Sequence, residues 1–320
     1  MNPTQWSYLV FAIVLVAAII FDLGLVSTRS KTITIKQAFY QTLFWVGLAI
    51  IFFLFIWFQN GHITAVEYIS AYLMEWSLSI DNIFIFILIF NFFSVKRMYY
   101  GRVLLLGILM AIIFRVLFIT IGIVLVEKFE WVLYIFGAFL VYTGIKMFFV
   151  DQAEEFHPSE NRVYNFLQRI LPITNIDAEG DYTIRRNGKK YFTILFVVVI
   201  LLATTDIVFA LDSIPAVFAI TQNKMVIYTS NIFAVLGLRS LFFLLRGAVT
   251  KFDYLQQGIA IVLLFVGGKM LAQYFDFHIS IWISLIVILV CLFGSILVSI
   301  YKKKPGLPRE IGQHKTPKIH

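Results

Sequence analysis

Long apolar stretches, separated by shorter polar ones, follow one another along most of the chain. Nine of them approach or exceed the roughly 20 residues with which an α-helix crosses a bilayer. The short segments of alternating polarity that build a transmembrane barrel are not found. We therefore predict an all-α polytopic membrane protein with about nine transmembrane helices, called spans 1 to 9. Their residues are 6–26, 39–59, 65–91, 103–126, 130–150, 191–219, 225–245, 254–274 and 279–300.

The composition agrees with a membrane protein. Hydrophobic residues make up 60% and charged residues 14% of the chain, and the mean hydropathy is +0.88. Soluble domains contain about 45–50% apolar and about 25% charged residues. Span 1 lacks a charged leader and a cleavage site, so we interpret it as a retained span. The single cysteine, Cys291, lies in span 9 and predicts no disulfide framework.

The net charge of +8 is distributed unevenly between the two sides of this topology. If the N-terminus lies outside, 20 of the 26 Lys and Arg residues fall in inner loops and the C-terminal tail. Only Lys128 and Lys224 fall in outer loops. The positive-inside rule explains this asymmetry and predicts an outer N-terminus and a cytoplasmic C-terminus. The basic charge therefore indicates contact with membrane lipid and no nucleic-acid partner.

Spans 3 and 6 contain similar motifs. "EWSLSIDNIFIF" at 75–86 and "DIVFALDSIPAV" at 206–217 both have an acid, five residues, an aspartate and a small polar residue. One span later each is followed by Arg-x-Leu-Phe, and another span later by Gly-x-Lys-Met. These later motifs begin at Arg115, Arg239, Gly144 and Gly267. Three matches in the same order predict an internal repeat.

The repeat predicts an inverted architecture, because each unit has three spans and three is odd. Spans 3–5 and spans 6–8 then lie in opposite orientations, as in many secondary transporters, with a site at the interface between the repeats. This divides the chain into five parts. They are two N-terminal spans (1–64), the first repeat (65–150), a cytoplasmic loop with an amphipathic helix around 162–170 (151–190), the second repeat (191–274), and the last span with its basic tail (275–320).

Five acidic residues fall well inside predicted spans: Asp22, Glu75, Asp81, Asp206 and Asp212. A lone charge at the bilayer centre costs at least about 2.5–3.5 kcal/mol, so these carboxylates need partners. The two acids of each repeat are six residues apart and do not share a helix face. Pro215 cannot donate to the carbonyl of Leu211, so we predict a helix break there that exposes an oxygen ligand.

The polar groups around these acids are all oxygen ligands or amides, since the five histidines lie in loops or the tail. Such sites suit Mg²⁺, Ca²⁺ or Mn²⁺ and fit zinc or copper poorly. The predicted metal-binding residues are Asp81, Asp212, Glu75, Asp206, Asn82, Ser213, Asn231 and Asp22.

Four bases also lie within spans. Arg115 and Arg239 are predicted to pair with the acids when the site is empty, which would make them switching residues. Lys146 and Lys269 are predicted to pair with charges or to extend to the membrane surface.

Two other interpretations of the acids are open. One is a buried salt bridge that only fixes helix packing. The other is an intramembrane aspartyl protease, but its Gly-x-Gly-Asp motif is missing, since Asp81 follows "SLSI" and Asp212 follows "VFAL". We therefore expect no enzymatic activity.

The chain resembles the TerC family of integral membrane proteins, and within it the Alx-like branch. The resemblance rests on "FDLGL" at 21–25, "EWSLSIDNIFIF", "ATTDIVFALDSIPAVFAI" at 203–220 and "SNIFAVLGLRSLFFLL" at 230–245. It implies a bacterial inner-membrane protein that exports Mn²⁺ and is similar to the LysE superfamily. It also implies that the five intramembrane acids, Asn231 and Arg239 are functional. Phe84 stands where the second repeat has Pro215, so the two half-sites differ.

Together these observations predict a divalent-cation exporter that binds Mn²⁺ between spans 3 and 6 and exchanges it for protons. The alternatives are a Ca²⁺ or Mg²⁺/proton exchanger and a non-transporting membrane partner that supplies metal or confers tellurite resistance. No permanently bound cofactor is expected. Export machinery or secreted enzymes are candidate partners through the resemblance, and the oligomeric state is left open.

Overall fold

The structure is a computed structural model that describes residues 3–26, 33–149, 162–174, 180–186, 188–246, 254–275, 277 and 279–301. Side chains are described within these ranges except at residues 3–4, 21–26, 81 and 84. The predicted ligands Asp22 and Asp81 therefore lie on described helices, but their carboxylates are outside the described part. The basic tail lies outside it as well.

The described chain is mostly helical, as the apolar pattern predicts. The helices are α1 (Pro3–Val26), α2 (Ile35–Asn60), α3 (His62–Phe92), α4 (Tyr100–Lys128), α5 (Val132–Phe149), α6 (Arg162–Ile170), α7 (Ile194–Phe218), α8 (Lys224–Leu236), α9 (Leu238–Arg246), α10 (Leu255–Ala272) and α11 (Ile281–Tyr301). Short 3₁₀ turns precede α4 at Arg97–Tyr99 and follow α10 at Gln273–Phe275.

Seven helices among the described residues are long and apolar enough to cross a membrane: α2, α3, α4 with its preceding turn, α5, α7, α10 with its following turn, and α11. Helices α8 and α9 form an eighth candidate span that bends by 41°. The apolar described part of α1, Gln5–Ile20, is shorter. The fold is thus confirmed as an all-α polytopic membrane protein with seven or eight candidate spans, and a ninth span stays a prediction.

The predicted break at Pro215 is wrong. Helix α7 continues through this residue to Phe218. A proline removes one backbone hydrogen bond, and the remaining bonds and the packed neighbouring helices hold a membrane helix together. The break lies instead at Gly237, between α8 and α9, where the sequence analysis predicted one unbroken span.

Contacts between helix ends show how the spans alternate in direction. Ion pairing of Lys224 with Glu127 at 2.6 Å joins the start of α8 to the end of α4. The Thr221 hydroxyl, just past α7, donates to Glu67 near the start of α3 at 2.7 Å. Helices α4 and α8 therefore run antiparallel, and so do α3 and α7.

Helices α5 and α10 cross closely because small residues face each other. A Cβ added at Gly267 would lie 2.7 Å from the carbonyl oxygen of Gly137. A Cβ added at Gly144 would lie 3.0 Å from the carbonyl oxygen of Ala260. Contacts advance along α5 while they retreat along α10, so these two helices are antiparallel as well.

The loop between α5 and α7 contains the predicted amphipathic helix, α6, at Arg162–Ile170. It also contains a sheet that the sequence analysis did not predict. Strands β1 (Ile173–Thr174), β2 (Thr183–Arg186) and β3 (Lys189–Thr193) form it in the order β1-β3-β2. Strand β3 pairs parallel with β1 and antiparallel with β2, and it continues directly into α7.

Candidate functional site

Four polar side chains meet in the middle of the helix bundle. Arg115 of α4 contacts Glu75 of α3, Asp206 of α7 and Asn231 of α8. Each of these helices therefore contributes one residue. We call this group the Arg115 cluster.

The guanidinium of Arg115 binds the two acids differently. Its Nε donates to Asp206 Oδ2 at 2.9 Å, and its Nη2 donates to Asp206 Oδ1 at 3.0 Å. This is a bidentate pair, the strongest arrangement for arginine and a carboxylate. Its Nη1 forms an ion pair with Glu75 Oε1 and donates to Asn231 Oδ1 at 3.0 Å. Asn231 Nδ2 donates in turn to Glu75 Oε2 at 3.0 Å.

The cluster is sealed from its surroundings. Glu75 and Asn231 are 0% exposed, Arg115 1% and Asp206 2%. One guanidinium faces two carboxylates, so the ionised cluster carries one net negative charge. An uncompensated charge in such an environment is costly. The cluster therefore favours an additional cation, whether a proton or a metal ion.

Several buried hydroxyls on the helices that carry these acids have no hydrogen-bond partner among the described residues. They belong to Ser77 and Ser79 on α3 and to Ser213 on α7. Ser213 lies seven residues, about two turns, beyond Asp206 and therefore shares its face of α7. The buried Asn82 lies the same distance beyond Glu75 and shares its face of α3. Since buried polar atoms are normally paired, these hydroxyls indicate room for a water molecule or ion.

Asp212 lies on another face of α7. It is half-buried and accepts a hydrogen bond from the Thr143 hydroxyl of α5 at 3.1 Å, and the ammonium of Lys146 is within electrostatic range. The prediction that the two acids of α7 do not share a face is confirmed. Thr143 was not predicted from the sequence as a site residue, although it directly precedes the repeated Gly-x-Lys-Met motif.

Lys269 also lies inside the bundle. It is 6% exposed and donates to Ser284 of α11 at 3.0 Å, and Glu67 is within electrostatic range. Lys269 is therefore held inside the bundle by a hydroxyl of α11 and does not extend to the membrane surface, and its pairing with a charge stays a prediction. Arg239 is buried on α9, two residues after Gly237.

Among the residues whose side chains are described, no three His, Cys, Asp or Glu residues are arranged to hold a metal ion. Arg115 occupies the space between Glu75 and Asp206. The predicted ligand set, which includes Asp81 and Asp22, remains a prediction.

Two cavities lie close to the polar residues. One of about 10 Å³, room for about one water, is lined by Asp206 and Gly107. Its other walls are Phe86, Leu104, Ile108, Ala111, Leu202, Val235 and Leu238. The second, of about 440 Å³, opens at the ends of α4 and α7. It is lined by Ile123, Val126, Glu127, Glu130, Leu133, Tyr134, Phe218, Gln222 and Gln273.

The long apolar helices define a polytopic membrane protein. The buried Arg115 cluster places charged side chains between its candidate spans. Residues 60–306 match the family described as integral membrane protein TerC. The chain belongs to the TerC family, as its motifs indicated.

Related proteins extend over nearly the whole chain. A protein of Rickettsia felis is 40% identical over 298 residues, which are 93% of this chain and 98% of the relative. A protein of Myxococcus xanthus is 40% identical over 306 residues, which are 95% of this chain and 94% of the relative. Both are described only as uncharacterized membrane proteins. A protein of Escherichia coli K12, named Alx and described as a candidate membrane-bound redox modulator, is 38% identical over 296 residues, 90% and 91% of the two chains. No solved structure matches this chain.

Proposed function

We propose that this chain is an inner-membrane transporter that exports a divalent cation, Mn²⁺, in exchange for protons. The Arg115 cluster is the observation that carries the proposal. Two carboxylates and a guanidinium at membrane depth are expensive, and such residues typically belong to ion pathways. The net negative charge of the cluster suits a cation as the transported species.

The packing and directions of the helices agree with an inverted repeat, and such a repeat would support this proposal. The first helix of each unit packs against the second helix of the other, α3 against α8 and α7 against α4. The third helices, α5 and α10, cross at the equivalent pairs Gly137–Gly267 and Ala260–Gly144. Corresponding helices are antiparallel, as an inverted 3+3 repeat requires. Transporters of this construction bind their substrates between the repeats, where the Arg115 cluster lies.

The chemistry of the candidate ligands favours a hard cation. Asp81, Asp212, Asn82 and Ser213 offer oxygen atoms on α3 and α7, and the only histidine or cysteine in these two helices is His62, the first residue of α3. Oxygen ligands select Mn²⁺, Mg²⁺ or Ca²⁺ over softer metals. The hydroxyls of Ser77, Ser79 and Ser213, which have no partner among the described side chains, add oxygen atoms to the same two helices.

In this proposal Arg115 acts as an internal competitor of the transported ion. It occupies Glu75 and Asp206 in the present conformation, so a cation can bind these acids only when the guanidinium moves away. Protons exchanged at the carboxylates would then balance the charge. One conformation then has Arg115 bound to the two acids, and the other has the cation bound to them. Because the cation binds only the second conformation, its binding shifts the equilibrium between the two.

The two acids are not equivalent. When Arg115 leaves, Asp206 loses its guanidinium hydrogen bonds, whereas Glu75 keeps its bond from Asn231. The proposed repeat aligns Gly107 with Asn231 of the second unit, and Gly107 lines the small cavity beside Asp206. Asp206 therefore has both the freedom and the space to move toward a cation, and Glu75 serves as an anchor.

The name of the Escherichia coli relative raises redox modulation as another activity. Cys291 is the only cysteine of this chain, so a dithiol reaction within one chain would lack the second thiol that it requires. Redox modulation by dithiol chemistry is therefore not proposed for this protein.

Flux of Mn²⁺ into vesicles that contain the purified chain tests the proposal. Wild type is compared with Asp206→Asn, Asp81→Asn and Asp212→Asn, and Glu130→Gln at a span edge is the control. Saturable flux, competed weakly by Ca²⁺, Mg²⁺ and Zn²⁺ and lost in the three aspartate variants, is expected. Absent wild-type flux with retained Mn²⁺ binding would instead identify a metal-supplying partner. Flux that ignores an imposed proton gradient would disprove proton exchange.

A further inference from the structure

Helix α6 has an apolar edge that the rest of the described chain does not cover. Its apolar residues follow the helical period, and Val163 and Leu167 pack against the protein. Phe166 and Ile170 continue the same apolar stripe but are each 60% exposed. Arg162 and Arg169 are exposed. With 3.6 residues per turn, both lie within about 60° of Phe166 around the helix axis. An exposed apolar edge flanked by arginines is typical of a helix in a membrane interface.

Several contacts hold α6 and the sheet at the level where spans end. The ring of Tyr164 packs edge-on against Phe93, the residue after α3, with centroids 5.2 Å apart. Gly180, with φ +96°, lies against Tyr99 and Arg102 at the start of α4. Strand β3 runs without a linker into α7. The apolar edge of α6 therefore lies close to the membrane surface.

The tip of the β2–β3 hairpin concentrates positive charge. Arg185 pairs with Lys190 and Arg186 with Lys189 across the two strands, and all four side chains are exposed. Like charges in such cross-strand positions are unfavourable. None of the ion pairs found among the described residues involves these four bases. The positive charge at the hairpin tip therefore favours binding of an anionic partner.

Distances favour the membrane as the source of that anion. Lys190 lies four residues before Ile194, the first residue of α7, a span of about 13 Å in extended chain. Headgroups extend roughly 5–8 Å beyond the hydrocarbon, and charges interact over a Debye length of about 8 Å. A second copy of the chain would bring a second set of positive charges against the first.

We propose that α6 and the tip of the β2–β3 hairpin together bind anionic phospholipids of the membrane in which the chain lies. Phe166 and Ile170 enter the interface between headgroups and acyl chains. Arg162, Arg169 and the four hairpin bases contact the lipid phosphates. The proposal does not depend on which ion the protein transports.

Fluorescence quenching in lipid nanodiscs tests this surface in the full-length chain. With Cys291 replaced by serine, an environment-sensitive label is attached at Phe166→Cys or, as the matched control, at Asn165→Cys, which faces about 100° away on α6. Nitroxide-labelled lipid is the quencher, and the discs contain phosphatidylcholine with or without phosphatidylglycerol. A further variant replaces the four hairpin bases by glutamine.

We expect several-fold stronger quenching at position 166 than at position 165. Quenching at 166 should increase with phosphatidylglycerol, and this increase should disappear in the glutamine variant. Equal quenching at both positions, or none at 166, would show that the edge does not meet lipid. Quenching at 166 that is independent of phosphatidylglycerol would overturn the role of the charges, and cross-linking of 166 between two copies would assign the edge to an oligomer.

Discussion

Arg115 and Asp206 lie on different helices and are joined by two parallel hydrogen bonds, of 2.9 and 3.0 Å, inside the bundle. The bond pair fixes α4 against α7, one helix from each proposed repeat. The same guanidinium holds Glu75 of α3. One arginine therefore connects helices of both proposed repeats, and its contacts lead to the first two predictions.

Arg115→Ala should destabilise the fold strongly. It leaves two buried carboxylates without their cation, and losing one partner of a buried ion pair costs about 3–5 kcal/mol. Arg115→Lys should lose less, because it keeps the charge but not the bidentate geometry. Thermal or denaturant unfolding in detergent measures both. Wild-type stability in Arg115→Ala would contradict the structural role of the cluster.

Asn231→Ala should lower the free energy of unfolding by about 1–3 kcal/mol, the cost of leaving the buried Oε2 atom of Glu75 without a donor. Ser230→Ala is the matched control, because this equally buried neighbour makes only a long 3.4 Å contact to a backbone carbonyl. The same unfolding assay compares them. Equal losses in the two variants would mean that the amide of Asn231 does not hold Glu75.

Glu75→Gln and Asp206→Asn should affect transport unequally. If Asp206 moves to the cation while Glu75 remains an anchor, Asp206→Asn should reduce Mn²⁺ affinity by roughly tenfold or more, equivalent to about 1.4 kcal/mol. Glu75→Gln should reduce it less, since its amide can still bind Asn231. Mn²⁺ titration followed by electron paramagnetic resonance measures both affinities. The reverse order would assign the mobile role to Glu75.

Gly267→Ala should destabilise the α5–α10 crossing, because its new Cβ would lie 2.7 Å from the Gly137 carbonyl oxygen. Overpacking of this kind typically costs about 1–3 kcal/mol. Gly268→Ala is the control one residue away, where nothing lies within 4 Å of the new Cβ. This control should be neutral or slightly stabilising. Similar behaviour of both variants in thermal unfolding would argue against the close crossing.

Pro215→Ala should leave α7 helical and raise the free energy of unfolding by about 1 kcal/mol, because alanine can donate to the Leu211 carbonyl. Since α7 is already continuous, transport of Mn²⁺ should persist in this variant. Vesicle flux and thermal unfolding measure the two effects. Loss of flux in a stable protein would revive a functional role for the missing hydrogen bond.

Much of the architecture follows from the sequence, because a bilayer imposes long apolar helices on any chain that crosses it. The candidate spans and the amphipathic helix at Arg162–Ile170 were predictable in this way. So was the separation of Asp206 from Asp212, since residues six positions apart on a helix lie about 120° apart and do not share one face. The repeated motifs also contain Glu75, Asp206 and Arg115, three of the four residues of the Arg115 cluster.

The bend at Gly237 was not predicted from the sequence, and the break that was predicted at Pro215 was wrong. Whether a helix breaks depends on its neighbours, which replace or fail to replace the lost hydrogen bonds. The small sheet before α7 was missed for a related reason. Its strands are short and polar, and they pair through contacts that no local pattern reports.

Sequence alone thus determined that this chain crosses a membrane several times, belongs by its motifs to the TerC family, and carries paired acids within its spans. Only the tertiary structure decided that Arg115 takes both Glu75 and Asp206, that Asn231 holds one of them, and that Asp212 turns toward Thr143. The physical reason is that hydrophobic periodicity reports which face of a helix is buried, whereas partners depend on which helices pack together and at what depth.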